Sequence, residues 1–172
     1  MMDFLVRLEA TGLSTWLRES PSMLAFPFVL VLHTLGLGLI VGSSLVVNLR
    51  ILGAASRIPL KPLEAFFPIM WFGFSINAIS GLMLLAKSAT TVGVSGIFWV
   101  KIALIALAIT ALARIKHTLF ADPLLDTRPV PASARALAVA SILLWTGAIT
   151  AGRLMAYIGP TQPEASILFG SR

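Results

Sequence analysis

Four apolar stretches, each close to the roughly 20 residues needed to cross the hydrocarbon core of a bilayer, constrain this chain more than any other feature of it. They run from Met23 to Val47, Phe66 to Ala86, Ile97 to Ile115 and Ala134 to Ile158. In lipid every backbone N–H and C=O must be satisfied within the segment, so isolated spans of this length are helical. The predicted fold is therefore all-α: a four-transmembrane-helix bundle over residues 21–159, preceded by an N-terminal amphipathic interfacial segment (1–20) and followed by a tail (160–172). Composition agrees: 58% of the 172 residues are hydrophobic, 12% are charged and the mean hydropathy is +0.94. A soluble domain carries about 25% charged residues.

Local punctuation predicts the helix limits. Ser20 with Pro21 opens the first span, Asp122-Pro123 stops the third, Pro131 precedes the fourth and Gly159-Pro160 ends it. Ahead of the first span, Phe4, Leu5, Leu8, Leu13 and Trp16 alternate with Arg7, Glu9 and Arg18. That pattern fits one amphipathic helix lying at the interface, and Asp3 and Glu9 argue against a signal peptide.

The formal net charge of +6 comes from 13 Lys and Arg scattered over loops and helix ends, which is no nucleic-acid patch. Arg50, Arg57, Lys61, Arg114, Lys116, Arg128 and Arg135 fall on one side of the bundle, against Arg7, Arg18, Lys87 and Arg172 on the other. The positive-inside rule then puts the two basic loops inside and both termini outside. With no cysteine, disulfides, Cys-ligated zinc, iron–sulfur clusters and thiol catalysis are excluded. Small residues mark expected helix contacts: Gly38 and Gly42 form a GxxxG on the first helix, and Gly73, Asn77, Ser80 and Gly81 share a face of the second.

Ionisable residues inside a membrane are costly and are the first place to look for function. The spans hold three: His33, Lys101 and Arg153. Counted from Met23, His33 lies roughly 15 Å deep at about 1.5 Å per residue, and Lys101 and Arg153 about 6 to 9 Å below the same surface. Thr146, Thr150, Arg153 and Tyr157 form one polar stripe on the fourth helix; His33, Gly36, Ser43 and Ser44 share an arc of the first. If these faces meet, they line a pocket.

All seven acids lie outside the spans, so an anion from elsewhere is expected at Lys101 and Arg153. A heme propionate, a quinone oxygen or a lipid phosphate has the right chemistry; snorkelling, or pairing with Glu9, Glu19 or Glu164, is the structural alternative. His33 is the candidate metal ligand, as an axial ligand to heme b, or else a structural histidine bonded to Asn77, Ser80 or a backbone carbonyl. His117 sits at the opposite end of its helix, which excludes bis-His ligation of one heme. The candidate cofactor-binding set is His33, Lys101, Arg153, Tyr157 and Asn77. Met23, Met83 and Met155 near the outer surface raise a copper-handling alternative.

Several of these residues carry a resemblance. Leu32-His33-Thr34-Leu35-Gly36, Val41-Gly42-Ser43, Asn48-Leu49-Arg50, Phe98-x-x-Lys101 and Gly152-Arg153-Leu154-Met155-Ala156-Tyr157 resemble a family of small four-helix bacterial membrane proteins of unassigned function. More distantly, the chain is similar to the copper-resistance D membrane proteins. The resemblance implies a multi-pass protein of the bacterial inner membrane and no particular activity. Two functions from different classes are expected: a binder of an anionic redox cofactor, heme b or quinone, in the outer half of the bundle, and a non-catalytic accessory subunit of a larger membrane complex or a homo-oligomer. No Ser, His and acid fall at one depth, which disfavours an intramembrane hydrolase, and the expectation is of a protein that is not an enzyme on its own.

Overall fold

The chain is all helical in the computed structural model, which describes residues 2–22 and 24–158 and the side chains of the last helix as far as Met155. Two short helices, α1 (Met2–Glu9) and α2 (Gly12–Glu19), precede the long α3 (Phe26–Ile51). A 3-10 turn (Lys61–Ala65) leads into α4 (Phe66–Lys87), and the four-residue α5 (Ala89–Val92) links it to α6 (Gly96–Ile115). A π-helical turn (Lys116–Phe120) extends α6 before α7 (Ala132–Ile158). The helices α3, α4, α6 and α7 are long and apolar enough to span a membrane. One end of the bundle carries α1 and α2 and is called the terminal end; the opposite, loop end carries the α3–α4 and α6–α7 connections.

The bundle is built from two tight hairpins. Helices α3 and α4 cross where neither has a side chain: a Cβ on Gly36 would stand 2.7 Å from the Asn77 backbone nitrogen and 2.8 Å from the Gly73 carbonyl oxygen. Helices α6 and α7 pair with buried alanines on both, Ala108 and Ala111 on the first and Ala148 and Ala151 on the second. The hairpins join along α3 and α7 and at the loop end, where Phe67 of α4 meets Phe120 edge-on with ring centroids 5.0 Å apart. There the Asp126 carboxylate also accepts from the Leu60 and Lys61 backbone N–H groups at 2.6 and 3.0 Å. Toward the terminal end α4 and α6 diverge.

Three expectations are corrected. The N-terminal segment is two helices, broken at Ala10, with Thr11 capping α2 through the Ser14 N–H; Leu5 and Leu17 are buried and the Ser14 hydroxyl donates to the Ala86 carbonyl at 2.9 Å. It therefore clasps the end of the bundle. The first span opens at Phe26, not at Ser20, with Pro27 in its first turn, and it runs on to Ile51. Gly38 and Gly42 are exposed with open space where a Cβ would stand, so the close crossing on α3 belongs to Gly36.

Candidate binding cleft

The divergence of α4 and α6 leaves a cleft of about 400 Å³, within the roughly 300–1,000 Å³ of small-molecule sites. Its walls are apolar, with Phe74, Leu82 and Leu85 from α4 and Phe98, Ile105 and Ile109 from α6. His33, Asn77 and Lys101 bring the polar chemistry. Because α3 begins at Phe26, His33 lies about 10 Å below the start of its helix and Lys101 about 8 Å below the start of α6, at about 1.5 Å per residue. The two cation-capable side chains thus sit nearly level, closer than the sequence count gave.

Glycines make room for both. The His33 ring lies over Gly81 of α4, with Cε1 3.1 Å from where a Cβ would be; the Lys101 chain lies along Gly152 of α7, with Nζ 3.4 Å from the corresponding point. The ring is held by α4: Nδ1 is 3.0 Å from the Asn77 carbonyl oxygen and 3.1 Å from Ser80 Oγ. Asn77 returns the contact, its Nδ2 donating to the His33 carbonyl at 2.8 Å. The histidine thus takes its structural partners while still lining a cleft, a combination the sequence reading set up as alternatives.

Other candidates are not brought here. Arg153 is exposed on α7 and does not line the cleft, and the Tyr157 side chain lies outside the described residues. The described members of the stripe they belong to face outward, the Thr146 and Thr150 hydroxyls each satisfied at 2.9 Å by a carbonyl of their own helix. The His33 face meets α4, so the expected meeting of the α3 and α7 polar arcs does not occur around His33. Neither Met83 nor Met155 lines the cleft, and Met23 lies outside the described residues. His117 is exposed in the π-helical turn.

Of the acids considered as partners for the cations in the spans, Glu164 lies outside the described residues, Glu19 is exposed and Glu9 is committed elsewhere. Its carboxylate accepts from the Thr90 hydroxyl and N–H at 2.6 and 2.9 Å and from Arg18 at 3.2 Å. The Thr90 contacts hold its carboxyl below the usual carboxylate range. Among the described residues Lys101 forms no salt bridge, so this half-buried lysine lines the cleft without a carboxylate from them.

A second polar cluster was missed. Asn48, three residues before the end of α3, is buried, its Nδ2 donating to Ser44 Oγ at 3.1 Å and to Ser141 Oγ of α7 at 3.0 Å. Arg50 folds back on the α3–α4 loop, donating to the Ile58 and Ser56 carbonyls. Ser141, in an Ala-rich stretch of α7, gave no spacing signal of its own.

Fold and cleft together define the class: a four-span, all-α protein of integral-membrane type with a laterally placed cleft between its two hairpins. Compared with known proteins, the chain matches no family model, no curated protein and no solved structure.

Proposed function

We propose that the protein binds an amphiphile with an oxygen-rich head and an apolar body, a membrane quinone, in the cleft between α4 and α6. The observation that carries this reading is a half-buried Lys101, without a carboxylate partner among the described residues, lining an apolar cleft that also holds His33. An ammonium in such surroundings is stabilised by an oxygen acceptor, and the apolar walls accept a ring and the start of an isoprenoid tail. Heme b fits less well, because His33 supplies one ligating nitrogen and, among the described residues, no second His, Met or Tyr lines the cleft.

In the cell we assign the protein to the bacterial inner membrane, which follows the family resemblance, with the basic loop end in the cytoplasm and both termini outside, which follows the Lys and Arg count. A second reading, an accessory subunit of a larger membrane complex or a homo-oligomer, is supported by the exposed Gly38 and Gly42 on α3, flanked by exposed Leu35, Leu39 and Leu45.

The test is direct binding in lipid nanodiscs with a decyl-substituted benzoquinone. Wild-type protein is expected to bind it, and Lys101→Met to weaken binding about tenfold with helix content unchanged, as the loss of one charge-assisted hydrogen bond implies. Absence of binding by wild type, or wild-type affinity in Lys101→Met, overturns the reading.

A further inference from the structure

The hydrogen bonds behind His33 fix what its free nitrogen can accept. Nδ1 has two neighbours, the Asn77 carbonyl oxygen at 3.0 Å and Ser80 Oγ at 3.1 Å. A carbonyl oxygen only accepts. The Ser80 hydroxyl has its own proton committed to the Ile76 carbonyl at 2.6 Å, so toward His33 it accepts as well. Both contacts therefore require the proton on Nδ1. In the neutral ring this leaves Nε2 as a bare acceptor, and among the described residues His33 hydrogen-bonds through Nδ1 alone.

Lys101 has the opposite character, with three donors and no acceptor. The cleft accordingly offers one acceptor and one donor across apolar walls. A quinone presents only carbonyl oxygens: Lys101 satisfies one, while a carbonyl directed at Nε2 brings two lone pairs together. A quinol presents hydroxyls, which donate to Nε2 at one side and accept from Lys101 at the other. From this pairing, and resting on the quinone reading above, we infer that the cleft selects the reduced, hydroxyl-bearing form of its ligand. Asn77 and Ser80 are the positioning residues of that selection, since they set the tautomer and touch no ligand through the groups that set it.

The experiment compares three probes under anaerobic conditions in nanodiscs: decyl-benzoquinone, its quinol, and the quinol dimethyl ether, which keeps the shape and lacks the hydroxyl protons. The quinol is expected to bind about tenfold more tightly than either other probe, the ratio that one made or unmade hydrogen bond implies. In His33→Gln, whose amide can turn a donor toward a carbonyl, that ratio is expected to fall to within about twofold. Nitrogen-15 NMR of the wild-type His33 ring gives a readout independent of any variant's folding, and is expected to show Nδ1 protonated and Nε2 bare. Equal or tighter binding of the quinone, or a ring protonated on Nε2 alone, overturns the selection while leaving the quinone site standing. Binding of none of the probes overturns the site and the selection together.

Discussion

The two polar clusters of the bundle, His33–Asn77–Ser80 near the terminal end and Ser44–Asn48–Ser141 toward the loop end, handle the same cost in opposite ways. Each places side-chain polar atoms inside an apolar span, where an unpaired group is expensive. Toward the loop end α3 and α7 close on each other, and Asn48 and both serines are buried and hydrogen-bonded to one another, with the Asn48 Oδ1 alone left without a partner among the described residues. Near the terminal end α4 and α6 part, and the same kind of cluster is left with a half-buried histidine and a lysine facing a cleft. Polarity in the span does not by itself leave a cleft; a gap between helices does.

Because the clusters share α3, the contrast breaks most strongly between them. Gly36 lies three residues after His33 and eight before Ser44, at a crossing where a side chain would meet backbone atoms closer than 3 Å. Gly36→Val is expected to destabilise the bundle by about 3 kcal/mol, at the top of the usual range for overpacking, and to abolish ligand binding as well. Thermal unfolding in detergent together with the quinone titration checks both.

A smaller effect separates the clusters. Asn48→Leu is expected to lower stability by about 1 kcal/mol, the scale of interhelical polar contacts in membranes, while leaving quinone affinity unchanged. Lys101→Met should do the reverse. If Asn48→Leu weakened the ligand as much as Lys101→Met, the two clusters would be one functional unit.

The clasp at the terminal end has a pH signature. The folded carboxyl of Glu9 titrates below its ordinary value of 4.5 because Thr90 donates to the charged form. Its contribution is therefore present in full above that ordinary value and is lost as the pH falls through the lowered one. Protease nicking of α1 is expected to rise as the pH drops below about 4.5 in wild type, and to be pH-insensitive in Glu9→Gln over the same range. The smallest effect is expected at Arg153: it is exposed and away from the cleft, so Arg153→Gln should leave quinone affinity within about twofold of wild type.

How far the molecule was legible in advance follows from which signals are local. Four spans and two of their limits were readable, because hydropathy acts along the segment and Asp122-Pro123 and Pro131 act on the chain beside them. Thr11 followed by Gly12 is a local signal for the break in the N-terminal helix, but the apolar pattern runs straight through it. His33, Asn77 and Lys101 were found because a charge or amide in a span stands out against its neighbours. What sequence could not supply was facing. Gly36 and Gly38 are indistinguishable as letters, yet one is a backbone crossing and the other faces open space. Asn48 reads as a helix end until Ser141, 93 residues away, is seen against it. The Thr146–Thr150–Arg153 stripe reads as inward because it is polar, yet threonine hydroxyls bond to their own helix and tolerate an outward face.

The central claim, that the parting of α4 and α6 is the ligand site, is tested most directly by photolabelling. A short-chain azidoquinone, cross-linked to the protein in nanodiscs and mapped by peptide mass spectrometry, should modify α4 around Phe74–Leu85 and α6 around Phe98–Ile109, with labelling suppressed by excess unlabelled quinol. Labelling confined to the α6–α7 groove beside Thr146 and Thr150, or spread along all lipid-facing helices and insensitive to competitor, would contradict it.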